Sequence, residues 1–64
     1  MKTPPEKGKK YEIRYKGMWE YDGYEGTGIF TGNTEDVDGM CYEFILEDGG
    51  DGLFPLKDVF PCNV

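Results

Sequence analysis

Sixty-four residues with no histidine, no serine, two cysteines and a net charge of −6 describe one small domain and exclude the usual catalytic sets. A chain of this length buries only about 60% of the surface its unfolded form exposes, so no deep catalytic cavity is expected and the protein is read as a non-enzyme. No apolar run approaches the ~20 residues of a membrane span, and the polar, proline-containing start does not read as a secretory signal, so a soluble cytoplasmic protein without membrane contact is expected.

Residues 1–8 have no apolar periodicity and read as a flexible lead-in; residues 9–64 read as the single domain. The first predicted strand covers residues 10–16, where Tyr11, Ile13 and Tyr15 alternate with charged residues. Gly17 breaks this pattern. Residues 18–25 mix Trp19, Tyr21 and Tyr24 with Glu20, Asp22 and Glu25 without a clean period, which predicts a long loop, with short paired arms as an option. Residues 26–32 are strand-like, with β-branched and aromatic residues between glycines; glycine inside a strand marks a bulge or a tight bend.

Residues 33–39 predict a turn by composition. The strongest strand is 40–47: Met40, Tyr42, Phe44 and Leu46 share one face, while Cys41, Glu43, Ile45 and Glu47 share the other. Residues 48–52 predict a glycine-rich hairpin turn. A short strand over 53–55, one 3-10 turn over 56–59 and a last strand over 60–64 complete the chain. Pro61 suits only an edge or terminal position. No segment carries helical periodicity.

Together these elements predict an all-β fold: a five-stranded, strongly bent antiparallel barrel with a single 3-10 turn before the last strand. Tyr11 or Ile13, Ile29, Phe44, Leu46 and Val59 are the expected core. Aromatic residues make up 16% of the chain, and each buries about 150–250 Å², which offsets the small size.

Three stretches carry a resemblance. Residues 24–29 are similar to the glycine-flanked second strand of KOW and Tudor modules. Residues 42–49 are similar to their long strand running into an acidic hairpin. Residues 54–61 are similar to their short strand and 3-10 turn before the closing strand. Over residues 11–61 the element order resembles an SH3-like small barrel, the superfold these modules share. The resemblance implies binding of peptides, methylated side chains or nucleic acid, although the aromatic and proline motif of proline-peptide binders is not clear here. Size, acidity and aromatic density also resemble those of small phage or prophage proteins.

Charge is segregated along the chain. Residues 1–16 hold six bases and two acids; residues 17–56 hold ten acids and no base. Such a run is either a solvated acidic surface or a negative face that steers a basic partner. Cys41 and Cys62 could close one disulfide, with about 3 kcal/mol of stabilisation. The compartment favours reduced, half-buried thiols.

The acids lie in glycine-rich turns, where water keeps carboxylates ordinary rather than catalytic. Neither Asp36 with Asp38 nor Asp48 with Asp51 matches the twelve-residue spacing of an EF-hand loop, which ends in Glu, and turn formation accounts for both. No metal or cofactor is expected. Nucleic acid is the secondary partner, because the one basic segment is residues 1–16 and the acidic stretch repels phosphate.

The candidate site is the loop residues Trp19, Glu20, Tyr21, Asp22, Tyr24 and Glu25, together with Asp48 and Asp51 of the hairpin. The Tudor-like resemblance implies that this loop and hairpin line the binding face. Aromatic rings attract cations by about 0.5–2 kcal/mol per contact, and Trp and Tyr are enriched at binding hot spots. The competing reading is that Trp19 and one tyrosine cap the core.

The expected function is a non-catalytic interaction module docking on a basic protein surface or cationic peptide. That includes inhibiting a host nucleic-acid-binding protein by mimicking nucleic acid. The alternatives are a KOW-like nucleic-acid-binding domain using the basic N-terminal segment, and a small structural subunit of a larger assembly.

Overall fold

The computed structural model describes residues 3–17 and 23–62. Alternation of Tyr11, Ile13 and Tyr15 with charged neighbours gives β1 (Lys10–Tyr15). Next come β2 (Tyr24–Asp36), β3 (Met40–Leu46) and β4 (Asp51–Pro55). A 3-10 turn over Leu56–Asp58 leads into β5 (Val59–Pro61). All pairings are antiparallel, in the order β4-β3-β2-β1-β5.

One face of the sheet holds the core. Tyr11, Ile13, Phe30, Phe44, Phe54 and Val59 are buried, with Tyr15, Tyr24, Tyr42 and Leu46 packed against them. Phe44 is central: its ring lies 5.6 Å from Phe30, 6.1 Å from Tyr11 and 6.2 Å from Phe54. Offset and edge contacts of this kind add about 0.5–1.5 kcal/mol each beyond area burial. Tyr15 of β1 and Phe54 of β4 meet at 5.6 Å, reaching with long side chains across the apolar face.

The expected barrel is an open sheet. Among the described residues its two edges, β4 and β5, do not pair with each other. The edges explain this. β5 is three residues long and ends in Pro61, and β4 ends in Pro55. Each edge strand is short and ends in a residue without an N–H, so the two edges offer each other little ladder with which to close the sheet.

The core list needs one correction. Ile29 is 45% exposed and Phe30 is the buried residue. Register decides it, since Phe30 stands opposite Phe44, and Ile29 opposite the outward Ile45. Inward positions of β2 therefore run Tyr24, Gly26, Gly28, Phe30. Gly28 sits inside the core because nothing larger fits: a Cβ there would fall 2.9 Å from Ile13 Cδ1 and 3.0 Å from Phe44 Cβ.

β2 also runs longer in both directions than predicted. Tyr24 and Glu25 pair with Tyr15 and Arg14, which makes a paired arm of the loop's end and joins it to β2. Residues 33–36 are strand and not turn, so the hairpin tip shrinks to residues 37–39. The register shift between Phe30 and Thr34 makes this possible. Four steps on β2 span two on β3, with Gly32 at φ +95° absorbing the excess.

Glu43 holds this irregularity together. Thr31 Oγ1 donates to Glu43 Oε1 at 2.9 Å, and Asn33 Nδ2 donates to the same oxygen at 3.0 Å. The Asn33 and Thr31 hydrogen bonds hold the Glu43 carboxyl below its ordinary value. A lowered folded-state pKa contributes stability above the unfolded value of about 4.3, lost as pH falls through the folded value. Glu43→Gln is therefore expected to lower the thermal midpoint at neutral pH and to match wild type in strong acid. Equal deficits at neutral and acid pH would show that the cap does not depend on charge.

Residues 5–8 are tied to the sheet. Pro5 is buried, and the Glu6 N–H donates to Tyr11 Oη at 2.7 Å. Gly8 N–H donates to the Phe30 carbonyl at 2.8 Å, and Phe30 N–H donates to the Lys9 carbonyl at 3.2 Å.

Candidate functional site

Strand order converts a sequence property into a surface. Chain neighbours β2, β3 and β4 are also sheet neighbours. The base-free run therefore becomes one continuous sector, while the bases of β1 sit on the far side of β2. Among the described residues the one ion pair is Arg14 with Glu12, at 3.2 Å within β1 itself. Two bases on that side also lie over aromatic rings: Arg14 is 4.6 Å from the Phe60 centroid and Lys9 is 5.9 Å from that of Tyr11.

Carboxylates of the acidic sector divide into two groups. One group works inside the fold. Glu43 caps the bulge, and Glu47 accepts from Thr27 Oγ1 at 3.1 Å. Asp36 accepts from Gly39 N–H at 3.1 Å, and Asp48 from Gly50 N–H at 2.9 Å. The other group, Glu25, Glu35, Asp38 and Asp51, is exposed and has no cation within ion-pair distance among the described residues.

Of the predicted site, Trp19, Glu20, Tyr21 and Asp22 lie outside the described residues. Tyr24 is half-buried, with its ring 6.0 Å from Phe54 and its hydroxyl donating to the Thr27 carbonyl at 3.3 Å. Burial first, then the Glu47 and Asp48 carboxylates, push its phenol above the ordinary value. Tyr24 and Asp48 are thus brought together electrostatically. Glu25 stands opposite Arg14 on β1, and Asp51 opposite Ile45 on β3, so these two occupy different parts of the sheet.

A groove of about 400 Å³ opens elsewhere, between the β2–β3 hairpin tip, β4 and the 3-10 turn. Val37, Met40, Leu53 and Pro55 supply its apolar lining. Asp38, Lys57 and Asp58 supply its charged groups. Val37, Met40 and Leu53 are 53%, 50% and 38% exposed, so three of the larger apolar side chains at the surface gather here. Sequence reasoning missed this groove. Its one local signal was apolar Val37 standing among the acids and glycine of a turn.

Cys41 also lines the groove and is not bonded to Cys62. Burial, helped by Asp36 and Glu35, pushes its thiol up, the opposite of an activated nucleophile. Among the described residues no group of three or more Cys, Asp or Glu is placed to hold a metal ion. No family model matches this sequence, and no curated protein or solved structure matches it at a significant level. The functional reading therefore rests on the residues and their geometry.

Proposed function

We propose that this domain is a non-catalytic interaction module whose acidic sector docks on a basic protein surface or a cationic peptide. The observation that carries the reading is the base-free sector of β2, β3 and β4, whose exposed carboxylates have no cation within ion-pair distance among the described residues. Uncompensated charge on one side of a small protein raises the local concentration of cations and steers their approach. On the opposite side, Lys9 and Arg14 are engaged by Tyr11 and Phe60, which disfavours a phosphate-binding surface there.

The element order supports kinship with SH3-like small domains, in a form whose sheet stays open. Within this proposal Trp19, Tyr21 and Tyr24 supply contact area, and Glu20, Asp22, Glu25, Asp48 and Asp51 supply steering.

Stopped-flow binding to a lysine-rich peptide tests it. The double variant Asp48→Asn, Asp51→Asn keeps an acceptor for Gly50 N–H, so folding is preserved. It is expected to associate more slowly, with a flatter salt response and nearly unchanged dissociation. Trp19→Ala, once a thermal melt shows it folded, is expected to dissociate faster. Retention of duplex DNA or RNA at moderate salt in a mobility-shift assay would instead favour nucleic acid as the partner.

A further inference from the structure

The free edge of β4 has the geometry to accept another strand. Leu46 N–H donates to the Gly50 carbonyl at 2.7 Å, and this sets the alternation of the β3–β4 ladder. Phe44 with Gly52 and Tyr42 with Phe54 then exchange hydrogen bonds, while Asp51, Leu53 and Pro55 turn their main chain away from β3. Pro55, which has no N–H, sits in the row where none is needed. The edge therefore displays the N–H and C=O of Asp51 and Leu53 and the C=O of Pro55. Among the described residues no strand covers it.

Charge and shape select the occupant. Leu53 and Pro55 belong to both the edge and the apolar groove, and around that groove Asp38 and Asp58 stand against one base, Lys57. Asp51 occupies the first position of the edge. Proteins guard open edges with charges and prolines. A carboxylate here guards against a second copy, which would bring its own net charge of −6. The same carboxylate attracts a cationic strand.

We propose that the β4 edge takes up an extended segment of a partner protein, in which Lys or Arg alternates with apolar residues, as a sixth strand of the sheet. Main-chain hydrogen bonds to Asp51 and Leu53 supply affinity. Apolar side chains enter the groove beside Leu53 and Pro55, and cations meet Asp51 and Asp38. This inference rests on the acidic-surface reading and adds to it the mode of docking.

The test uses the whole chain and a short acetylated peptide of alternating lysine and valine. Its comparison is the same peptide N-methylated throughout, which keeps every charge and loses every main-chain donor. Amide hydrogen exchange at Asp51 and Leu53 is followed by NMR, with affinity from titration. On peptide binding, both amides are expected to slow by about tenfold or more. N-methylation and Leu53→Pro, which leaves every carboxylate in place, are each expected to weaken binding by about tenfold or more.

Equal binding of the N-methylated peptide, or binding without protection at Asp51 and Leu53, overturns strand addition and leaves the acidic-surface reading standing. Failure of both peptides to bind at low salt overturns the two together. Protection that appears without peptide, alongside dimers in sedimentation, makes a second copy the occupant and overturns the inference. The wild-type peptide comparison needs no variant, so it decides the matter even if Leu53→Pro does not fold.

Discussion

Phe44→Ala is expected to remove about 3–5 kcal/mol of stability, the range for truncating a buried phenylalanine. Phe44 is fully buried on β3, between β2 and β4, with the rings of Phe30, Tyr11 and Phe54 around it. Removing it leaves a cavity with contributions from β1, β2 and β4, which cannot all collapse inward without breaking register. Marginal stability of roughly 0.05–0.15 kcal/mol per residue implies about 3–10 kcal/mol for a chain of this length. The variant is therefore expected to be largely unfolded, or to melt far below wild type. Ile45→Ala, one position away but 46% exposed on the other face, is the control. It is expected to change stability much less, because little packing is lost there. Urea unfolding of the three proteins checks this. Similar midpoints for Phe44→Ala and Ile45→Ala would contradict the placement of the core.

Gly28→Ala is expected to destabilise by about 1–3 kcal/mol, although alanine is normally the better residue in a strand. Its backbone is not in the left-handed region, so no strain in φ opposes the change. Space opposes it. The new Cβ would meet Ile13 Cδ1 at 2.9 Å, Phe44 Cβ at 3.0 Å and Leu46 Cδ2 at 3.3 Å. Ile13 and Phe44 are fully buried, so neither side chain has room to retreat. Gly50→Ala tests the argument from the other side. There a Cβ would meet only Asp48 Oδ1, at 3.3 Å, on an exposed hairpin. That change is expected to stay within about 0.5 kcal/mol of wild type. Thermal melts of both variants decide it, and a stabilised Gly28→Ala would show that β2 does not approach the core so closely.

Much of the fold was legible from residue order, where side chains report which way they face. Tyr11, Ile13 and Tyr15 on β1 and Tyr42, Phe44 and Leu46 on β3 alternate with polar or outward residues, and this period marks the apolar side of each strand. Glycines after Asp48 marked the β3–β4 turn, and Pro61 marked an edge. The segregation of charge was likewise complete in the sequence. Of the candidate site, the acidic character of Glu25, Asp48 and Asp51 was legible; their distribution over separate parts of the sheet was not.

Only the tertiary structure decided the rest, for reasons that lie in particular residues. Glycine has no side chain to reveal its face, so Gly26 and Gly28 concealed the inward row of β2, and Ile29 seemed to belong to it. A bulge inserts residues and breaks the two-residue period, so residues 33–36 lost their strand signature although Glu43 of β3 holds the bulge beside them. The groove joins residues from the hairpin tip, β4 and the 3-10 turn, which no local pattern connects. Which edge stays open depends on long-range pairing, and local periodicity carries no record of it. Sequence alone therefore determined strand faces and charge, because each residue carries those properties itself. Register, edges and the groove belong to pairs of strands, and only folding brings the pairs together.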